Sequence, residues 1–332
     1  MDVPAMEFGI FHEFLSAGAA QPVSFAQSFE QIAAAEAWGL DILWVAEIHM
    51  NPTRCLVSSP LTVLSAVAAR TNRIRIGPAV QLLPLGHPLR LAEEAATLDQ
   101  ISGGRLVFGV GRSAFPGAYR AYGISYEESQ VMFAESLAII RNVWTNPQAS
   151  HAGHYWRFDG FTLVPRPVQT PHPPIRIAAS RPETYAAIGT LGYPLLCALR
   201  ASAIDDLAAN LRAYRAAWAE AGHPGAPRAY LQIPILVGET QAEAEAAAKD
   251  GLMRFASYRA DLVRGPLTYD VALRQKGFVG TPDHVASRIA ALREATGIDG
   301  LSAEINVGSL MTHEQVMRSL RLFCQEVVPR FR

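Results

Sequence analysis

The sequence predicts an α/β fold, a (β/α)8 TIM barrel forming a single domain over residues 1–332, with insertions after strands 4 and 7. Three observations lead there. Short apolar runs alternate with long amphipathic stretches from one end of the chain to the other, which implies parallel strands joined by right-handed crossovers. Eight such runs are present, and closure into a barrel accounts for that count better than an open doubly wound sheet. The length, 332 residues with half of them hydrophobic, suits one such barrel with a few insertions.

The elements follow in order. The first strand is Met6–Phe11, and its amphipathic helix spans about Ser24–Trp38, where Gly39 ends it as a residue tolerant of positive φ. Strand two is Ile42–Ala46, followed by a helix over Pro60–Thr71. Strand three, Ile74–Val80, leads through LLPLGHP into the helix Leu89–Ile101, and the turn Ser102–Gly104 introduces strand four, Leu106–Val110. A long loop and a helix over Glu127–Trp144 come next. The stretch Thr145–Pro174, rich in Pro, Gly, His and aromatics, reads as an excursion with a small hairpin. Strands five, six and seven are Ile175–Ala179, Pro194–Ala198 and Tyr230–Val237, with helices at Pro182–Leu191 and Ile204–Ala221 between them. The Ala/Glu-rich Gln241–Tyr258 is helical by propensity, and Arg259–Gly280 is a second irregular insertion. Thr281-Pro-Asp-His opens a helix with a cap residue and a first-turn proline; strand eight is Leu301–Val307 and the last helix His313–Val328.

Composition excludes several classes. A net charge of −1, from 29 basic and 30 acidic residues, lacks the basic footprint of a nucleic-acid binder. No apolar run reaches the 18 or so residues that cross a bilayer, and MDVPAMEFGIF has no basic residue to start a secretory signal. Cys55, Cys197 and Cys324 are widely spaced and read as reduced thiols of a cytoplasmic protein.

In a barrel the chemistry belongs to the loops at the carboxyl ends of the strands. In FGVGRSAFPGAYRAYG, Gly111 lets a flat ligand approach the backbone and Arg112 offers a guanidinium fork to phosphate; the alternative is a strand-end turn with a surface arginine. A dinucleotide fingerprint fails there, because position 114 is Ala and the helix begins too late. In IAASRPETYAAIG, Ser180 ends a strand before a helix whose first turn holds Pro182 and Thr184, either an anion site or a plain cap. In WVAEIHMN, Glu47 and His49 are an acid and an imidazole at the end of a buried strand, suited to proton transfer or to mutual and backbone hydrogen bonding. Alternation along an extended chain puts both on one face, with Ile48 packed outward and the carboxylate favouring the charged imidazole. His151 and His154 have metal-like spacing but no evident carboxylate or thiol partner, so they read as a solvated loop. His87 reads as serving the turn before its helix, and no G-x-S-x-G elbow is present.

The stretch HPLRLAEEAATLDQISGGRLVFGVGR, His87–Arg112, together with GLDILWVAEIH, IAASRPET and GTPDHVASRIAALREATGIDGL, resembles the luciferase-like monooxygenases from about Glu7 to Phe331. The resemblance implies a reduced FMN supplied by a partner reductase, O2 as oxidant and a small organic substrate. It places Arg112 on the phosphate-binding arginine and Ser180 on a phosphate-binding serine, with Thr184 one position out of register from a third donor. Gln130 stands where the family has a second phosphate arginine, and Ala179 accompanies Ser180. The Ala79–Val80 bond falls where such barrels carry a non-proline cis peptide under the flavin ring. Gly111 replaces a reactive cysteine, and Ile48 replaces the first of two adjacent histidines, leaving His49; light emission from a long-chain aldehyde is not expected. A deazaflavin-dependent hydride transfer on the same barrel and a non-catalytic flavin-binding protein are the alternatives, neither excluded by the residues. The Ala/Leu/Val-rich helices Pro60–Thr71 and Leu89–Ile101 point to a homodimer, since the family pairs its barrels on that side.

Overall fold

The computed structural model describes residues 5–113, 115–199, 203–257 and 266–332. In chain order the elements are β1 (Glu7–His12), α1 (Gln21–Ala37), β2 (Ile42–Val45), α2 (Pro60–Ala68), β3 (Arg75–Pro78), β4 (Gln81–Leu82), α3 (Pro88–Ser102), β5 (Phe108–Gly111), α4 (Pro116–Ala121), α5 (Ser129–Thr145), β6 (Ala149–Ala152) and β7 (Arg157–Phe161). There follow β8 (Ile175–Ala179), α6 (Pro182–Leu191), β9 (Leu195–Ala198), α7 (Ile204–Glu220), β10 (Ala229–Val237), α8 (Gln241–Ser257), α9 (Tyr269–Lys276), β11 (Phe278–Gly280), α10 (Pro282–Thr296), β12 (Gly300–Glu304) and α11 (His313–Leu322). The expected alternation of strand and helix holds, and the barrel strands pair in parallel.

The chain divides into two compact units. One comprises Met1–Trp44, Thr53–Leu56 and Ile177–Arg332. Its strands run in the order β2-β1-β12-β10-β9-β8. The strand β10 is apolar along nearly its whole length, AYLQIPILV, as a strand covered on both faces must be. Its first half pairs with β9 and β12, and Ile235–Val237 pair with β11. That short strand and α9 lie in the segment expected to be irregular, Arg259–Gly280, of which residues 259–265 lie outside the described residues. The predicted cap of α10 forms: Thr281 Oγ1 accepts from the His284 amide. Gly39, at φ +95°, takes the left-handed step after α1 that its sequence position implied.

The other unit comprises Val45–Pro52 and Val57–Arg176. Here β4 pairs with β5, Gln81 opposite Val110 and Leu82 opposite Gly111, while Ile76 bridges to Leu106. The strand expected over Ile74–Val80 is interrupted. It is split into β3 and β4 around a cis peptide between Ala79 and Val80, the position the resemblance implied. The predicted loop before α5 contains the short helix α4. The excursion after α5 holds the antiparallel hairpin β6–β7. Glu135 of α5 anchors it, accepting from the amides of His154, Tyr155 and Trp156 and from His151.

Candidate active site

Beyond Val45 the strand has ended, yet the alternation of side chains persists, and Glu47 and His49 meet. His49 Nε2 donates to Glu47 Oε1 at 3.0 Å, with both side chains under a tenth exposed. The other oxygen, Glu47 Oε2, accepts from Gln81 Nε2 at 2.7 Å and from the Leu82 amide at 2.9 Å. Those donors come from β4, immediately after the cis peptide. Burial pushes the Glu47 carboxyl above the usual carboxylate range, against the opposing pull of the hydrogen bonds from His49, Leu82 and Gln81. A carboxylate can only accept, so an ionised Glu47 fixes the proton of His49 on Nε2 and leaves Nδ1 with its lone pair. Facing that nitrogen is the Tyr122 hydroxyl, 3.4 Å away on a half-exposed side chain, with the two rings edge to face at 5.3 Å. The base nitrogen of the pair thus faces a half-exposed tyrosine, while the carboxylate is buried.

Arg112 follows β5, and its surroundings hold it at both ends. Its carbonyl accepts from the Tyr119 hydroxyl, whose phenol burial pushes up to about 12 and so keeps protonated as a donor. The guanidinium lies over the Tyr126 ring, 5.1 Å from the centroid, and its Nη1 donates to Ser129 Oγ at 2.9 Å. Its Nε and Nη2 have no acceptor and no carboxylate pairs with it among the described residues. A half-buried cation with two donors to spare is a donor set that fits a phosphate. Gly111 is buried beside it at the end of β5. Gln130 is exposed and makes no hydrogen bond to Arg112; the neighbouring Ser129 does.

The remaining predicted residues belong to the other unit. Ala179 is buried at the end of β8 and Ser180 follows it, half-buried. The cap of α6 is Arg181 and not Ser180, which overturns the plain-cap alternative. Thr184 donates its hydroxyl to the Arg181 carbonyl at 2.6 Å. His151 does have a carboxylate partner, Glu135 Oε1 at 3.0 Å, contrary to the sequence reading, because α5 supplies it from 16 residues back. No group of three or more His, Cys, Asp or Glu that could hold a metal occurs among the described residues. All three cysteines are buried, and burial pushes the Cys197 and Cys324 thiols up to about 12, which leaves those two inert. No helix among the described residues is long and apolar enough to cross a membrane.

Sequence reasoning missed Gln81, Tyr119, Tyr122, Tyr126 and Ser129. Three of these are the tyrosines of AYRAYGISY, a density of aromatic hydroxyls around Arg112 that was a readable signal.

Parallel strands alternating with helices, a buried acid–imidazole pair past a strand end and an arginine poised for an anion define an α/β, TIM-barrel-like enzyme. The family model for luciferase-like monooxygenase matches residues 6–300, and the chain belongs to that family of oxidoreductases. It is 25% identical to the oxygenase component of the flavin-dependent trigonelline monooxygenase of Acinetobacter baylyi, over 98% of this chain and 96% of that one. The crystal structure of monooxygenase RslO1 from Streptomyces bottropensis is 29% identical, with TM-score 0.88, over 98% of this chain and all of that one. The oxygenating constituent of 3,6-diketocamphane monooxygenase from Pseudomonas putida, solved in complex with FMN, shares the fold at 24% identity and TM-score 0.83, covering 99% of each chain. F420-dependent enzymes also occur among the matches.

Proposed function

We propose that the protein is the oxygenase of a two-component system, taking reduced FMN from a partner reductase and using O2 to oxidise a small organic substrate. The observation that carries this reading is Arg112, a fixed guanidinium with unused donors at the end of β5. The reduced flavin, when bound, supplies the oxygen activation. The chain's own residues do the rest. Arg112 holds the phosphate. Ala79, Val80 and Gly111 offer backbone and small side chains to the flat ring. Gln130, in place of a second arginine, leaves the phosphate with one fewer charge. Glu47 orients His49, whose Nδ1 would exchange a proton with the substrate.

The test is an anaerobic titration of the protein with photoreduced FMN and, separately, with reduced deazaflavin, followed by mixing with oxygen. Reduced FMN should bind, and Arg112→Ala should weaken it by about 2–4 kcal/mol through the loss of charge-assisted bonds to a dianion. Tight binding of deazaflavin with none of FMN would replace the reading by hydride transfer. Binding of FMN with no reaction with oxygen would make the protein a flavin carrier.

A further inference from the structure

An arginine on a loop is a poor reader of phosphate unless something aims it, since a free guanidinium loses rotamer entropy on binding. Here the aiming parts are visible. Ser129, at the start of α5 and fully buried, gives its hydroxyl proton to the Tyr126 carbonyl, so its lone pairs are turned outward to accept from Arg112 Nη1 at 2.9 Å. Tyr126 supplies a ring face 5.1 Å from the guanidinium carbon, covering one face of the fork. That ring is itself held, edge to face with Tyr119 at 5.2 Å and with its hydroxyl directed at the Ser113 carbonyl at 3.5 Å. Ser113, directly after Arg112, adopts a left-handed φ of +64°. The carbonyl of Arg112 is fastened by the Tyr119 hydroxyl. Both ends of the arginine are thus constrained, and Nε and Nη2 are left without an acceptor among the described residues.

We propose that Tyr126 and Ser129 are positioning residues that pre-aim Arg112, and that they set the protein's preference for a phosphorylated flavin over the unphosphorylated one. The inference rests on the reading of Arg112 as the phosphate-binding residue. A cation pinned before the ligand arrives contributes its full charge-assisted bonds to a phosphate and nothing to riboflavin, which has none. The preference, FMN affinity divided by riboflavin affinity, isolates this effect, because damage to the fold or to the ring site lowers both affinities together.

The experiment measures FMN and riboflavin affinities, by quenching of flavin fluorescence, for the parent, R112A, S129A, Y126L and Y126F. S129A and Y126L should each reduce the preference by about three- to tenfold, the size of one hydrogen bond or one cation–π contact. Y126F, which keeps the ring face, should retain the parent's preference. A preference lost in R112A but kept in both S129A and Y126L overturns the positioning role and leaves the phosphate site standing. A preference unchanged in R112A overturns the phosphate reading itself. Equal loss in Y126F and Y126L overturns the role given to the ring, and equal weakening of FMN and riboflavin in the variants overturns the proposal as a whole.

Discussion

His12 closes β1 and His49 lies just past β2, each beside a glutamate, and the two imidazoles are held in opposite ways. Both nitrogens of His12 are committed. Its Nδ1 accepts from the Phe14 amide at 3.0 Å, and its Nε2 donates to Gln31 Oε1 at 2.8 Å. Phe14 is buried with a left-handed φ of +56°, so His12 fastens a turn that no β-strand geometry would hold. The adjacent Glu13 turns away to Arg54, 3.1 Å from its Nη2. His49 has its Nε2 fixed by Glu47, and among the described residues its Nδ1 faces only the hydroxyl of a half-exposed tyrosine. An acid next to a histidine in sequence therefore says little. What separates a structural imidazole from a chemical one is the second nitrogen.

Three variants or conditions separate the two imidazoles by experiment. The largest effect is expected for His49→Gln, which keeps size and some hydrogen bonding but cannot titrate. Reoxidation of protein-bound reduced FMN by oxygen, followed by stopped-flow absorbance, should lose about 10²–10⁴ of its proton-assisted rate and its pH dependence. A folded variant with the parent's rate and profile would remove His49 from proton transfer.

The next effect concerns stability. Burial pulls His12 down to about 4, with the Gln31 hydrogen bond and the Glu13 charge opposing. The unfolded chain binds this proton near pH 6.5 and the folded one does not until about pH 4. Its contribution is thus fully present above about pH 6.5 and is lost as pH falls toward about 4, on the order of 3 kcal/mol in all. Glu47 has the opposite sign: a raised carboxyl favours the fold at low pH and loses that contribution as pH rises through its folded value. Urea unfolding at several pH values should show the acid-side loss in the parent, and a flat profile between about pH 6.5 and 4 would contradict the closed state of His12.

The smallest of the three is Glu47→Gln, expected to slow the same reoxidation by about ten- to a hundredfold. An amide can turn its NH2 toward His49 and move the imidazole proton to Nδ1, closing the nitrogen that should be open. FMN affinity should be unchanged, since Arg112 is untouched; a drop in affinity with a parent-like rate would mean that Glu47 serves the binding site instead.

Much of this was legible in the chain. Glu47 and His49 were readable as a pair because alternation is a local rule, and Arg112 because it ends an apolar strand. Gln81 and the Leu82 amide were not, since they reach Glu47 from 34 and 35 residues away across a break in what looked like one strand. The helix α4 begins Pro-Gly, which reads as a loop. Gln130 and Ser129 differ by one residue, about 100° around a helix, enough to exchange an exposed side chain for a buried one. The strand β11, three residues long, is too short to carry a periodic signal.

The contrast between the two imidazoles is tested most directly by the nitrogen NMR spectrum of histidine-labelled protein, assigned with His12→Gln and His49→Gln. His49 should be found protonated on Nε2 with Nδ1 bare, and that tautomer should be lost in Glu47→Gln. His12 should stay neutral, with the proton on Nε2, from about pH 8 down to about pH 5. A proton on Nδ1 of His49 in the parent, or a tautomer indifferent to Glu47→Gln, would contradict the account.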